Sequence, residues 1–536
     1  MRAIIYVLAC GTSLYFFISA ILLTIGGERT VRRIKAEIDK PGAPRANVRF
    51  VLILPMLREA ATVDRALRQF MPAIEEGLPI DVVIATTARE AAERDHIVRE
   101  IEARINSRIN SGGSSGVNSG GGDWDMGEVD SMAAMVLDKA SSESFHSMLA
   151  DAPASSREAV AFLRERLQGD TGTVVERLIE ELNLKLNRRA FFHVEAPMEA
   201  KGKVGQMNAA VSYWRSLQEN LEERNVYIGV YDADSRPDQS VFNSIRRLIH
   251  EDDRAGRERV GIFQQVSCYC QNMQGLKGAI GAVSIADALA QTRWALGFEF
   301  PLYESYSSET GSNKTRRLIY CVGHGCFVSL AAFDRIGGFP TCSPNDDLAL
   351  GYLASAVGLN VSPVPVLDFC DVAPNPFASI RQSRFWYRGS ARFDKDLEIF
   401  REQFNLKHGW LQRLWFHIDG RMRCFFWGWR GMLWLGSLLG ALLLQSAPLA
   451  LLLILIHLIY VQVGFFHTLS LLKRIPGCAE RLRLSSVTRP RLLLSSLAAS
   501  VAFIVRGLGP MTASLGFETP KPAGIAWKIS REPELS

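Results

Sequence analysis

The chain has 536 residues, of which 48% are hydrophobic and 22% are charged, and its formal net charge is +5. The charged share is close to that of soluble domains and excludes a protein that lies in a membrane throughout, while the hydrophobic share excludes a wholly disordered chain. The length allows several domains and a large buried core. The positive charge is expected beside membrane segments, so we predict no nucleic-acid partner.

An apolar stretch at the N-terminus predicts a membrane anchor. Residues 3–27 carry no charge and include many large aliphatic and aromatic side chains. A helix of about 20 apolar residues crosses a bilayer, so we predict an N-terminal transmembrane helix at 1–27. The alternative is a cleaved signal peptide, but the apolar run is long for one and has no clean small-x-small cleavage site at its end.

Alternating strand and helix patterns follow, and they predict an α/β body with a mainly parallel sheet at 45–375. The predicted strands are short, continuously apolar runs, as expected of strands buried on both faces: Arg49–Pro55, Asp81–Thr86, Ala190–Glu195, Val226–Tyr231 and Val260–Val266. Between the second and third strands lies an insertion at about 88–188. It contains a Gly/Ser/Asn tract at 106–122 that is predicted to be disordered.

The C-terminal part is again apolar. Residues 376–423 interleave aromatic and arginine side chains, which favours interfacial amphipathic helices, although ordinary surface helices fit nearly as well. The apolar run at 424–472 predicts a transmembrane hairpin with a tight turn at Ser446-Ala447-Pro448. Residues 490–512 predict a further transmembrane or re-entrant segment, and 513–536 form a tail.

Basic residues flank these apolar segments and predict their orientation. They are Arg29, Arg32, Arg33 and Lys35 after the first segment, and Lys473, Arg474, Arg481, Arg483, Arg489 and Arg491 after the hairpin. Because positive flanks remain in the cytosol, we predict a multi-pass membrane protein with a cytosolic body, located in the inner membrane if the cell is bacterial.

Two carboxylates follow a predicted strand. Asp232 and Asp234 stand one residue apart directly after Val226–Tyr231, where parallel sheets bind ligands. Such a pair can hold a divalent cation that neutralises a diphosphate. The D-x-D pattern alone is weak, because acidic residues after a strand are often only helix N-caps.

Further motifs support a functional interpretation. Lys203 stands between glycines at a predicted helix start and suits a phosphate contact. Gly323-His324-Gly325 precedes a G-G-F turn, and the adjacent Asp346 and Asp347 repel each other, which suits one of them for general-base work. Gln382, Arg384 and Trp386 place an amide, a cation and an indole near the membrane. Taken singly, the lysine could be a solvated turn and the acidic pair a helix cap.

In this order the motifs resemble those of the membrane-bound family 2 glycosyltransferases, which include cellulose, chitin and hyaluronan synthases and ceramide glucosyltransferase. The resemblance covers roughly residues 48 to 400 and rests on P-x-x-x-E from Pro55 to Glu59, the G-K pair, D-x-D, G-x-G with GGF, the acidic pair, and Q-x-x-x-W-x-x-G. It implies a GT-A fold and inverting transfer of a sugar from a nucleotide-sugar, usually UDP-linked, with Mg²⁺ or Mn²⁺.

The resemblance also implies roles for single residues. Pro55, Glu59 and Lys203 would contact the donor, Asp232 and Asp234 would bind the metal, and Gly323, His324 and Gly325 would line the acceptor site. Asp347, with Asp346 beside it, would be the catalytic base. Gln382, Arg384 and Trp386 would bind the diphosphate end of the donor.

The sequence departs from the family pattern in the insertion at about 88–188, which has no counterpart in the family's core, and at two motif positions. Ala85-Thr86-Thr87 stands where the family has an acidic residue that reads the base, and Phe385 replaces the arginine before the tryptophan. Arg384 is a turn of about 100 degrees away from that position, so Arg381 and Arg388 are possible substitutes.

Alternatives remain open for the function. Within the enzyme class, the acceptor could be a membrane lipid, a short glycan or the growing chain of a processive polysaccharide synthase. Outside it, the chain could be a catalytically silent membrane scaffold, which the missing acidic residue at Thr86-Thr87 favours and the retained carboxylates oppose.

Overall fold

The computed structural model describes the chain except for residues 1, 41–43, 111–125, 134–135, 138, 152–155, 167–169, 201, 220–221, 309–316 and 517–536. Most of the tract predicted to be disordered and nearly all of the predicted tail therefore lie outside the described residues. The first five residues of that tract, 106–110, are helical, which corrects the prediction there.

An eight-stranded mixed sheet forms the centre of the fold. Its strands are β1 (Arg49–Pro55), β2 (Ile80–Thr87), β3 (Phe191–Ala196), β4 (Val226–Val230), β5 (Arg236–Pro237), β6 (Ile262–Cys268), β7 (Cys326–Ser329) and β8 (Val361–Phe369), in the order β3-β2-β1-β4-β7-β6-β8-β5. β1 pairs with β4 and β6 with β8 in parallel, while β7 is antiparallel to β4 and β6, as β5 is to β8. The predicted α/β class with a mainly parallel sheet is confirmed.

The remaining regular structure is helical. In chain order they are α1 (Arg2–Ile38), α2 (Val63–Arg68), α3 (Met71–Glu75), α4 (Ala88–Asn110), α5 (Met126–Ala133), α6 (Lys139–Asp151), α7 (Ser156–Arg166), α8 (Thr171–Leu186), α9 (Gly202–Ser216), α10 (Ser240–Arg254), α11 (Gly278–Trp294), α12 (Phe300–Ser308), α13 (Leu330–Arg335), α14 (Asp346–Val357), α15 (Pro376–Ala391), α16 (Phe393–Gln403), α17 (Trp410–Leu443), α18 (Ala447–Leu458), α19 (Gly464–Arg474), α20 (Cys478–Arg481) and α21 (Arg489–Ser514). Two π-helical segments are inserted, Ala295–Glu299 between α11 and α12 and Ile459–Val463 between α18 and α19.

The chain forms two compact units. The first comprises Met1–Leu54, Gln69–Val82 and Arg215–Pro520, and the second contains Pro55–Arg68 and Val83–Trp214. Within the second unit, helices α4 to α7 of the insertion bury an apolar core of their own, to which Ile97, Ile101, Ile105, Val129, Ala133, Val136, Leu137, Phe145, Leu149, Ala159 and Leu163 contribute. Part of the insertion therefore folds around its own apolar residues.

Three helical stretches in the described part of the first unit are long and apolar enough to cross a membrane. They are Arg2–Ile38, Ala447–Arg474 and Arg489–Ser514. Large apolar side chains on them are exposed, among them Ile4, Leu14, Leu22, Leu451, Leu455, Leu497 and Val501. An apolar helix surface of this length is stable in lipid rather than in water, which makes association with a membrane consistent with the structure.

The C-terminal helices differ in detail from the prediction. α17 runs without a break through residue 423, where the predicted interfacial segment ends. The turn after α17 is formed by residues 444–446, with Gln445 in the left-handed region at φ 52°. Pro448 is the second residue of α18 rather than part of the turn, because proline is well tolerated in the first turn of a helix.

The N-terminal helix packs tightly on the rest of the first unit. Gly26 of α1 and Gly297 of the first π-helical segment meet backbone to backbone, so a Cβ on Gly26 would overlap the Gly297 carbonyl. One turn further, the hydroxyl of Thr30 donates to the carbonyl of Leu296 at 2.7 Å. The helix is therefore part of the folded core as well as a candidate anchor.

Replacing Gly26 with alanine is expected to lower the free energy of unfolding by about 1–3 kcal/mol. The new methyl group would overlap backbone atoms, which cannot move aside by rotation as a side chain can. Gly436→Ala in α17 is the matched control, since no atom lies within 4 Å of a Cβ at that helical position. The control is expected to be neutral or slightly more stable. Thermal unfolding in detergent compares the two variants, and equal midpoints would contradict the prediction.

Candidate active site

The D-x-D carboxylates lie at the carboxyl end of a central strand. β4 ends at Val230, and beyond it Asp232 and Asp234 are half-buried while Ala233 and Ser235 between and after them are buried. This alternation places both carboxylates on the accessible side of the segment. Neither is an N-cap of α10, whose Ser240 amide is bonded by Asp238 instead. The interpretation of the pair as a mere helix cap is therefore wrong for this helix.

The Gly323-His324-Gly325 segment, called the glycine loop below and predicted to line the acceptor site, reaches the same edge of the sheet. The Gly325 amide donates to the carbonyl of Val230 at 2.9 Å, the last residue of β4. Gly325 is left-handed at φ 63°, and a Cβ there would lie 2.8 Å from the Cβ of Gln265. Only glycine meets both conditions, so this residue fixes the loop beside the D-x-D segment.

His324 in that loop is paired with a buried carboxylate. Its Nδ1 lies 2.7 Å from Oδ2 of Asp368, which is fully buried near the end of β8. Burial opposes the charged imidazole, but the hydrogen bond and charge of Asp368, together with the charges of Asp232 and Asp234, raise the pKa of His324. The structure thus places His324 within electrostatic range of the D-x-D carboxylates.

The acidic pair opens a helix. Asp346 and Asp347 form the first turn of α14 and are half-buried, and Oδ1 of Asp347 accepts the Leu348 amide at 2.8 Å. The N-cap residue is Asn345, whose side chain makes no capping hydrogen bond. The positive end of the helix dipole favours carboxylates at this position.

Two glycines let the motifs approach one another. A Cβ on Gly351 of α14 would overlap the backbone of Tyr320, which leads into the glycine loop. A Cβ on Gly389 of α15 would overlap the side chain of Asn345, next to the acidic pair. α14 therefore lies against both the segment before the loop and α15. Three predicted motifs come together through these two close contacts, one with backbone and one with a side chain.

The Q-x-x-x-W residues lie on α15. Gln382 and Trp386 are four residues apart, hence on one face of the helix, and both are half-buried. Arg384 is buried, whereas Arg381 and Arg388 are exposed, and Phe385 is half exposed. α15 packs closely on α21, where Gly509 leaves room for the backbone of Ile380 and Arg384.

The remaining predicted donor residues belong to the second unit. Pro55 ends β1, and Glu59 accepts the Thr62 hydroxyl at 2.9 Å. Lys203 lies half-buried in the first turn of α9. Thr86, which stands where the family has an acidic residue, is buried at the end of β2 and lies 2.8 Å from Nε2 of His193.

Sequence reasoning missed two carboxylates of the first unit. Asp368 is the single acidic residue in the apolar strand β8. A lone carboxylate in an apolar run was the sequence feature that could have identified it. Glu299 lies in a π-helical segment and accepts the Tyr320 hydroxyl at 2.9 Å, and Tyr320 in turn accepts the Trp294 indole N–H at 3.0 Å. A π-bulge often marks a functional site, but it leaves no clear pattern in a sequence.

Burial raises the pKa of Glu299 to about 7, although the Tyr320 hydroxyl and the charges of His324 and Arg506 lower it. An unfolded glutamate ionises near pH 4.5, so the folded protein holds an extra proton between about pH 4.5 and 7. Stability is therefore expected to fall as pH rises through this window, because ionisation costs more in the folded state.

Glu299→Gln removes this ionisation, so its thermal midpoint is expected to decline less between pH 5 and pH 8 than that of the wild type. Glu398→Gln, at an exposed position of α16, is the control and should follow the wild type. An equally steep decline in Glu299→Gln would refute the assignment.

A divalent cation fits the D-x-D segment by its donor set. Among the described residues, no three His, Cys, Asp or Glu side chains form a metal-binding group. Mg²⁺, however, is commonly bound by one or two carboxylates with substrate phosphates and water completing the shell. Asp232 and Asp234 supply two such hard oxygen ligands on an accessible segment, so the residues present fit the group.

A comparison with known families matches part of the first unit. Residues 227–471 match the family model described as Glycosyl transferase family group 2, a segment slightly under half of the chain. It contains the D-x-D, the glycine loop, the acidic pair and Q-x-x-x-W. With the mixed, mostly parallel sheet, the match confirms the predicted GT-A-like fold class. The narrower resemblance to the membrane-bound synthases stays a prediction.

One similar solved structure is the mannosyltransferase PcManGT from Pyrobaculum calidifontis in complex with GDP-Man and Mn²⁺. It shares 15% identity, with a TM-score of 0.38, over 92% of this chain and 99% of that chain. A similarity of this size does not by itself establish a common fold. No curated protein matches the chain.

Proposed function

We propose that the chain is a membrane-anchored inverting glycosyltransferase that moves a sugar from a nucleotide-sugar, UDP-linked by preference, to a lipid or glycan acceptor at the membrane. The observation that carries the proposal is the meeting of Asp232 and Asp234, the glycine loop and α14 in one unit, inside the segment that matches the family model. Pro55, Glu59 and Lys203 are assigned to donor binding from the resemblance.

Asp347 is proposed as the general base. Its carboxylate lies in the first turn of α14 and is accessible, as a base that meets an acceptor hydroxyl must be. In a single displacement the acceptor oxygen attacks the anomeric carbon and gives its proton to Asp347. The bond from that carbon to the diphosphate oxygen breaks, and its electron pair leaves with the nucleoside diphosphate. Attack opposite to the leaving group inverts the anomeric configuration.

Asp232 and Asp234 are proposed to hold Mg²⁺ or Mn²⁺. When bound there, the cation would offset the negative charge that develops on the departing diphosphate. Gln382 and Trp386 are proposed to orient the donor from α15, and His324 and its neighbouring glycines to line the acceptor side. Asp368 holds the His324 ring in place through Nδ1.

The cytosolic placement of the body rests on the basic flanks of α1 and α19, and the anchoring rests on the three apolar helical stretches. A soluble donor and a membrane-bound acceptor would then meet near α15. This helix packs on α21, one of the three candidate spans.

A donor screen tests the proposed function. The purified full chain is incubated with labelled UDP- and GDP-sugars, a membrane lipid extract and either Mn²⁺ or a chelator, and the released nucleoside diphosphate and the product are separated. We expect metal-dependent transfer from one donor class, with a product of inverted anomeric configuration. Absence of both binding and turnover with every donor would contradict the proposal and favour a silent scaffold.

Product size then distinguishes the acceptors. A single sugar on an organic-soluble lipid supports the lipid acceptor, whereas a long polymer supports a processive synthase.

A further inference from the structure

Two arginine side chains meet around Tyr460 between the candidate membrane helices. Arg293, in the last turn of α11, is 7% exposed, and its Nη1 donates to the Tyr460 carbonyl at 2.5 Å. Its guanidinium carbon lies 5.2 Å from the Tyr460 ring centre. Arg430 of α17 reaches the same tyrosine, with Nη1 3.3 Å from its hydroxyl oxygen.

The helix around Tyr460 is shaped to admit this contact. Tyr460 belongs to the π-helical segment Ile459–Val463, which interrupts the ordinary hydrogen-bond pattern of the helix and makes a carbonyl available to Arg293. Directly after it, a Cβ at Gly464 would overlap Nη1 of Arg293. The position of the guanidinium is therefore built into the backbone.

The two cations have no carboxylate partner among the described residues. Arg293 bonds to backbone carbonyls and its buried Nε has no acceptor there, while Arg430 lies 5.3 Å from the Phe503 ring centre. Burial lowers the pKa of Arg293, Tyr460 opposes this shift, and the like charge of Arg430 adds to it to a smaller extent. By contrast, Arg506 of α21 is paired with Asp287 at 2.8 Å. A positive centre without a counter-ion in apolar surroundings favours an anionic ligand.

An apolar groove leads to Arg430. It lies between α1 and α17, has a volume of about 300 Å³ and is lined mainly by Val7, Leu8, Gly11, Phe425, Leu433 and Arg430. Tyr15 and Phe426, which also line it, stack with ring centres 4.0 Å apart. Apolar walls with one cation match an amphiphile that has a hydrocarbon tail and a negative head group.

We propose that this groove binds an anionic phospholipid, with its phosphate on Arg430 and an acyl chain along α1 and α17. The negative charge of the head group complements the Arg430 guanidinium, and the apolar tail complements the apolar walls of the groove. The inference rests on the proposed membrane location, because the groove is surrounded by phospholipid only if these helices lie in a bilayer. It does not depend on sugar transfer.

Lipid retention tests the proposal. The full chain is reconstituted in phosphatidylcholine nanodiscs that contain spin-labelled phosphatidylglycerol or spin-labelled phosphatidylcholine, and the immobilised fraction of each label is measured. The wild type is expected to retain phosphatidylglycerol in preference to phosphatidylcholine. Arg430→Gln is expected to lower this preference by about fivefold, the effect of removing one cation from a phosphate.

Arg413→Gln is the matched control, because Arg413 is an exposed arginine of the same helix that does not line the groove. It is expected to retain the wild-type preference. An unchanged preference in Arg430→Gln, or an equal loss in Arg413→Gln, would overturn the proposal.

A second variant fills the groove and keeps both arginines. Gly11 lines the groove and no atom lies within 4 Å of a Cβ there, so the Gly11→Leu side chain starts in open space. It is expected to lower the retention of both labels, and retention equal to the wild type would overturn the proposal. Because no donor is present, an inactive enzyme leaves the result valid, so failure of the proposed function is distinguishable from failure of the lipid site.

Discussion

Replacing Asp347 with asparagine is expected to lower kcat for sugar transfer by about 10²- to 10⁴-fold, the usual contribution of a general base. Asparagine has nearly the same shape but takes up no proton, so the first turn of α14 is preserved. The dissociation constant of the donor is expected to stay within about twofold, because the base acts on the acceptor hydroxyl. Initial rates and isothermal titration with the nucleotide-sugar measure the two effects.

Asp394→Asn is the matched control for this variant. Asp394 also lies in the first turn of a helix, α16, where it pairs with Arg421 at 2.7 Å. Loss of this exposed ion pair is expected to leave kcat unchanged. Wild-type kcat in Asp347→Asn would show that another group takes the proton, and Asp346→Asn would then be examined for the same loss.

Replacing Asp234 with asparagine is expected to weaken Mn²⁺-dependent donor binding by about 100-fold or more. Even residues that only support a metal ligand change affinity by about 10- to 100-fold, and Asp234 is proposed as a direct ligand. Titration of the donor with Mn²⁺ and with a chelator isolates the metal-dependent part. That part is expected to vanish in the variant.

Asp238→Asn provides the comparison in the same loop. Asp238 bonds the Ser240 amide at the start of α10, so its replacement is expected to affect stability slightly and donor binding not at all. If Asp234→Asn bound the donor with unchanged metal dependence, the proposed assignment of D-x-D would be wrong.

Five of the eight strands, β1, β2, β3, β4 and β6, were predictable, because each is a short apolar run with its own local pattern. β5 and β8 were not predicted, and neither was β7. Its four residues, Cys326–Ser329, directly follow the glycine loop, and their antiparallel pairing with β4 and β6 is decided by residues distant in the chain.

Charged residues limited the prediction of the C-terminal helices. The apolar run Leu492–Val505 is short for a span because Arg506 ends it, yet α21 continues to Ser514. The pairing of Arg506 with Asp287, 219 residues away, compensates the charge inside the helix. Similarly, Arg423 pairs with Asp419 one turn earlier, so α17 passes the predicted boundary without a break.

The candidate site was predictable where its residues are adjacent in sequence. D-x-D, the glycine loop and the acidic pair are local motifs, and a local pattern is what sequence reading detects. Asp368 is different, because it lies 44 residues after His324 in the chain. The two residues meet only because β8 pairs with β6. The role of Asp368 depends on the register of a sheet rather than on a motif.

The packing of α1 bears on how the protein can be handled. Besides the Gly26 contact, the C-terminal end of this helix pairs Glu37 with Arg247 of α10. Removing the N-terminal helix to obtain a soluble enzyme would take the Glu37 carboxylate away from the buried guanidinium of Arg247. It would also expose the surface at Gly297 that Gly26 covers. A water-soluble version is therefore better sought by replacing the exposed apolar residues of α1 with polar ones than by deleting the helix.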